Sequence, residues 1–146
     1  MGKLEGVHPL LADKMNYLVD FAQRHHGLEV IITQGLRTFE EQDALYAKGR
    51  TTPGLKVTDA RGGSSFHNYG LAVDFAIKVD GKLTWEDKID SNESSGPDYD
   101  EVGKMGEEFG LVWGGRWKKS DRPHFQLTFG LSISDLRSGK RPSPVI

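Results

Sequence analysis

The stretch SFHNYGLAVDFAI, Ser65 to Ile77, decides how the rest of the chain is read. Its second half alternates, with Leu71, Val73, Phe75 and Ile77 on one side and Ala72, Asp74 and Ala76 on the other. This is the period of two that sends successive side chains to opposite faces of a strand. The apolar row needs a core, so Asp74 is aimed away from it. A lone carboxylate there is costly to bury and calls for a cation, a metal or a set of N–H donors. Residues 123–129, PHFQLTF, have the same build, placing Phe125, Leu127 and Phe129 inward and His124, Gln126 and Thr128 on the other face. If these two strands are neighbours, Asp74 and His124 converge. His67 precedes Asp74 in a turn-like HNYG segment, and Gly70 lets that loop fold its imidazole back to the same point.

Two imidazoles and a carboxylate are the ligand number and type of a catalytic Zn²⁺ site that leaves its fourth position to water. On the residues alone the alternatives stay open: a surface loop histidine for His67, and a half-buried strand histidine bonded to backbone for His124. Asp121 falls at the entrance of the second strand, set off from His124 by Arg122 and Pro123. A carboxylate there can act as the general base beside a metal or simply cap a turn.

Working outward, Leu11, Met15, Leu18 and Ala22 recur at helical spacing between Pro9 and His26, with Gly27 as the stop. LEVIIT, residues 28–33, reads as a strand under that helix. Thr38 and Glu41 form a capping-box pattern that opens a helix to about Lys48, with Gln42, Leu45 and Tyr46 on one face. Residues 50–65 carry loop chemistry and are long enough to be functional. Residues 90–97, DSNESSGP, form a polar loop before a helix around Tyr99–Glu108, whose stripe is Val102, Met105 and Phe109 and whose stop is Gly110. Leu111–Trp113 reads as a short strand. The sum is an α+β fold, a small antiparallel sheet with helices on its apolar face and the polar site on its open face. Residues 1–130 make one catalytic-sized domain; residues 131–146 make a tail with a short helical turn and then RSGKRPSP, the composition of a linker to a further domain.

Composition narrows the function classes. The 146 residues, 36% hydrophobic and 27% charged, suit one globular domain. No apolar run approaches the roughly 18–20 residues of a membrane span, and the N-terminus lacks a secretory h-region. The absence of cysteine removes disulfides, thiolate nucleophiles and Cys-based metal sites. Net charge is −2, with 12 basic against 19 acidic residues through Val112 and 7 against 2 afterwards. That basic end, broken by Gly, Ser and Pro, is too sparse for a nucleic-acid footprint and reads as solvated surface.

SFHNYGLAVD, Ser65 to Asp74, matches the S-x-H-x-x-G-x-A-x-D signature of the D-alanyl-D-alanine peptidases and their L-alanyl-D-glutamate endopeptidase relatives. DRPHFQL, Asp121 to Leu127, resembles that family's second motif, and ITQGLRTFEEQDALYAKGRT, residues 32–51, its substrate-side arginine and glutamine block. The resemblance implies Zn²⁺ on His67, Asp74 and His124, with Asp121 as acid/base in a place where some relatives carry Glu. It further implies Arg37 on the oxyanion or a substrate carboxylate, Ser65 bonding within the site or orienting the peptide, and Gln42 contacting the peptide across the cleft. Tyr46, Trp113 and Trp117 are candidates for the groove or the core. The expected activity is zinc-dependent cleavage of the L-Ala–D-Glu bond in the peptidoglycan stem peptide. It would come from a monomeric phage endolysin, with a prophage-derived or host autolysin as the alternative, made without a signal peptide, acting on the wall after release and carrying a C-terminal wall-binding domain. A D-Ala-D-Ala carboxypeptidase or dipeptidase, and a non-catalytic zinc-stabilised wall-binding module, are the rivals.

Overall fold

A computed structural model describes residues 2–142. Helix α1 spans Pro9–His26, with proline in its first turn and Gly27 in the left-handed conformation at its end. Strand β1 is Glu29–Gln34 and helix α2 is Phe39–Ala47, opened by the reciprocal Thr38–Glu41 capping box. A 3₁₀ turn, Phe66–Tyr69, leads into strand β2, Ala72–Val79, which turns back as β3, Lys82–Thr84. Helix α3, Asp98–Glu108, is followed by β4, Val112–Trp113, a second 3₁₀ turn at Gly114–Arg116, β5, His124–Gln126, and α4, Ile133–Arg137.

The sheet is antiparallel throughout, in the order β1-β2-β5-β4, with β3 paired to the far end of β2. The pairing that matters for function puts Asp74 directly opposite His124. Both strands bury their apolar row in one core: Val73, Phe75, Ile77 and Phe125 meet Leu11, Met15 and Leu18 of α1 and Tyr99, Val102 and Met105 of α3. Phe75 and Phe125 stack at 5.0 Å between centroids, so the strand carrying Asp74 and the strand carrying His124 are locked side by side.

Helix α3 reaches the sheet through glycines. A Cβ on Gly106 would lie 2.2 Å from the Phe125 ring, and one on Gly103 2.2 Å from the Trp113 indole. Gly106→Ala is therefore expected to destabilise the fold by about 1–3 kcal/mol of overpacking, reduced by the ~1 kcal/mol helix preference of Ala over Gly. A urea titration checks this, and a raised midpoint, the helix gain with no overpacking cost, would refute the close packing.

The structure departs from the sequence reading in two places. The second alternating stretch is a strand only over His124–Gln126; Leu127 still donates to the Leu71 carbonyl, but Phe129 takes φ +55 and leaves the sheet. Its ring therefore packs on His8 at 4.6 Å instead of entering the core. The β2–β3 hairpin was unforeseen, although the Asp80–Gly81 pair between its strands, both at positive φ, is a strong turn signal. The short turn expected after Gly130 is α4, whose Leu136 is buried, while residues 143–146 of the linker-like tail lie outside the described residues.

Candidate metal and catalytic centre

Three separate pieces of backbone bring the polar groups together. Strands β2 and β5 place Asp74 and His124 by register. His67 is delivered by the 3₁₀ turn, whose N-cap Ser65 accepts from the His67 N–H at 3.2 Å. Gly70 ends the turn at φ +71, where a Cβ would lie 2.4 Å from the Gly6 carbonyl oxygen, so only glycine lets the chain turn into β2 there. The His67 carbonyl in turn accepts from the Arg37 N–H at 3.0 Å, binding the segment after β1 to the turn.

His67 Nε2 and His124 Nδ1 each lie 3.1 Å from the same oxygen, Asp74 Oδ1. The other nitrogen of each ring is already committed: His67 Nδ1 faces the Gly35 carbonyl at 2.9 Å and His124 Nε2 faces Gln126 Oε1 at 2.9 Å. A carbonyl oxygen accepts only, so each neutral ring spends its proton outward and turns a lone pair toward the carboxylate. Three acceptors then converge with no proton between them, which is satisfied only by positive charge. Their donor atoms all lie within 4.8 Å of one another, and ligands about 2.0–2.1 Å from a tetrahedral Zn²⁺ sit roughly 3.3 Å apart. The donor set therefore fits a divalent metal, with outward hydrogen bonds of the kind that orient metal-bound imidazoles. The electrostatics agree. Burial alone would push the Asp74 carboxyl up, but the His124 and His67 rings hold it far below the ordinary range. Burial disfavours a charged His124, and Asp74 beside it reverses the balance and raises its pKa.

Around this centre lies a cavity of about 530 Å³ lined by Arg37, Ser65, Trp117 and Asp121 as well as the three putting donors into it. Asp121 is half-exposed, its Oδ2 3.7 Å from His124 Nδ1. It is held there by Gly114, whose carbonyl accepts from the Asp121 N–H at 2.9 Å and which has no room for a Cβ, the Asp121 carbonyl oxygen being 2.4 Å away. Partial burial raises the Asp121 pKa, which makes the carboxylate a better proton acceptor. Arg37 does not form the surface pair with Glu40 or Glu41 that helix entry alone would allow. Its Nη2 is 3.6 Å from Asp74 Oδ2, and its Nε is buried without a partner. Trp117 covers the His124 ring at 5.1 Å.

Gln42 is a correction. Its side chain is fully buried, its Oε1 accepts from Arg37 Nη1 at 2.8 Å, and its Nε2 donates to the Ala60 carbonyl at 2.8 Å. With both ends of the amide used and no open surface, it braces Arg37 against the 58–60 loop instead of meeting a peptide across the cleft. Ser65 caps the turn and lines the cavity. Trp113 belongs to the core, its Nε1 donating to the Arg122 carbonyl, and Tyr46 lies on the surface under Arg50. Sequence reasoning missed Asn68, whose Oδ1 accepts from the Gly63 and Ser65 N–H groups while its Nδ2 donates to the Arg37 carbonyl, tying loop, turn and arginine together. It also missed Gly35 and Gln126, the groups that set the two imidazole tautomers.

A family model described as D-alanyl-D-alanine carboxypeptidase matches residues 58–127, which contain His67, Asp74, Asp121 and His124. The peptidoglycan L-alanyl-D-glutamate endopeptidase CwlK of Bacillus subtilis (strain 168) is 44% identical over 123 residues, 83% of this chain and 73% of that protein. Among solved structures, the L-Ala D-Glu endopeptidase ChiX of Serratia marcescens aligns with a TM-score of 0.59 at 29% identity, over 87% of this chain and 84% of its own. The vancomycin resistance D,D-pentapeptidase VanY of a VanB-type cassette, solved with Zn(II), aligns with a TM-score of 0.56 at 20% identity over 90% and 78%, a likeness of fold.

Proposed function

The chain belongs to the D-alanyl-D-alanine carboxypeptidase family of peptidases, and from that premise we propose that it is a zinc-dependent peptidoglycan endopeptidase cutting the stem peptide between L-Ala and D-Glu. The observation that carries this is the convergence of His67 Nε2, Asp74 Oδ1 and His124 Nδ1 on one point beside a free carboxylate and a buried guanidinium. The choice of bond is supported by the 44% identity to an endopeptidase of that specificity.

His67, Asp74 and His124 hold the metal. Zinc bound there supplies Lewis acidity to the scissile carbonyl and lowers the pKa of the attacking water. Asp121 accepts the proton of that water on its carboxylate and later delivers it to the departing amine, a dual role suited to an acid whose pKa is raised by partial burial. Arg37, always charged and braced by Gln42, faces the negative charge that grows on the carbonyl oxygen. Gly35 and Gln126 keep both imidazoles turned inward, and Trp117 shields His124 from solvent on one side. A base beside the ligands has no use in a purely structural metal site, which weighs against a non-catalytic module. The endolysin setting belongs to the same proposal: the substrate is the cell wall, and among the described residues no helix is long and apolar enough to cross a membrane.

The test is metal content together with clearing of a wall suspension. One zinc per chain, clearing that stops on chelation and returns with Zn²⁺, and products with new N-terminal D-Glu are expected. Release of D-Ala instead would move the reading to a carboxypeptidase, and chelator-indifferent clearing would remove the metal mechanism.

A further inference from the structure

We propose that the arm of the cleft beyond Asp121 is a subsite for the free carboxylate of the substrate's D-glutamate, held by Lys119 and Lys56; this rests on the endopeptidase reading above. The metal-site cavity adjoins a second one of about 550 Å³, and the two share Val57, Thr58, Trp117 and Asp121 as lining. Arg37 and His67 line only the first, Lys56 and Lys119 only the second. Asp121 thus stands at the junction.

Its chemistry gives the cleft a direction. The group that returns a proton to the departing amine must sit on the leaving-group side of the bond, so the peptide beyond the cut lies toward the second cavity. The first residue there is D-glutamate. A glutamate has two carboxyl groups and a chain continues through only one, so the other remains as an anion a few bonds from the amine that Asp121 serves. The alanine side carries no such charge.

The second cavity has the matching cations in an exchangeable state. Lys119 Nζ sits 2.6 Å from Asp59 Oδ2 with both side chains largely exposed, and Arg50 Nη2 holds the other oxygen of Asp59 at 3.4 Å. An exposed pair of this kind contributes little. Lys119 can leave Asp59 to Arg50 and take up a substrate carboxylate, and Lys56 adds a second positive charge to the same wall.

Two short synthetic peptides separate the possibilities, identical except that the D-glutamate group is a carboxylate in one and a carboxamide in the other. With zinc-loaded protein, kcat/KM is expected to favour the carboxylate by about three- to fivefold, the upper part of the range of exposed ion pairs, and less at high salt. Lys119→Gln combined with Lys56→Gln should bring the ratio near one, whereas Asp59→Asn, which frees Lys119, should widen it. An unchanged ratio in all these proteins, or a wild type indifferent to the carboxylate, overturns the subsite. Cleavage of neither peptide by the zinc-loaded wild type removes the endopeptidase reading, and the subsite falls with it.

Discussion

Asp121→Asn is expected to keep zinc at full stoichiometry and to lower kcat by about 10²–10⁴, the usual contribution of a positioned acid/base. The substitution preserves the size and shape of the side chain and the backbone bond from its N–H to the Gly114 carbonyl. What it removes is a group able to accept and return a proton. Asp121 lies 3.7 Å from His124 Nδ1, farther than the 3.1 Å of Asp74, and its carboxyl is half-exposed where Asp74 is pinned between two rings. One carboxylate is thus placed to hold and the other to act. Metal analysis with single-turnover cleavage of a stem peptide checks this. Loss of zinc in the variant would make Asp121 a ligand, and undiminished cleavage would transfer the base role elsewhere.

The part of the site that was legible in sequence is the part that strand periodicity encodes. Asp74 and His124 share the polar side of two alternating stretches, and antiparallel pairing of those strands does the rest. His67 was legible as a loop residue able to reach them, and the family motifs made the set specific. What escaped was partner choice. Gln42 on a short helix reads as a polar residue free to face substrate, yet its amide is drawn inward because Arg37 and the Ala60 carbonyl would otherwise be left unpaired in the wall of the cleft. Asn68 and Gln126 are anonymous amides until their neighbours are known. Phe129 failed for a backbone reason: alternation predicts a face only while the chain stays extended, and one residue at positive φ ends that rule.

Such partner choices bear on how the site tolerates change. Each imidazole is oriented from behind, His67 by a main-chain carbonyl and His124 by a side-chain amide. The first cannot be removed by substituting a side chain and the second can, so His124 is the ligand whose orientation is open to mutation from its outer side. Loss of such an outer partner typically costs about 10–100-fold in metal affinity or activity.

Asp74→Ala should cost more than that, because it removes a donor itself. The variant is expected to bind no zinc at micromolar concentrations and to show no measurable wall clearing. Asp74 Oδ1 lies 3.1 Å from a nitrogen of each imidazole, and its second oxygen lies 3.6 Å from Arg37. Without that carboxylate, the two rings keep only the half-exposed Asp121, 3.7 Å from His124, and the guanidinium faces them. The guanidinium then repels any cation brought to the rings, where before its charge was offset. The readout independent of activity is thermal. A ligand that binds only the folded state raises Tm as its concentration rises, so zinc should raise the Tm of the wild type and of Asp121→Asn and leave that of Asp74→Ala where it was. The two variants then divide the site into the group that holds the ion and the group that moves the proton. A zinc-dependent rise in Asp74→Ala equal to that of the wild type would show that the ion is bound by some other set of residues.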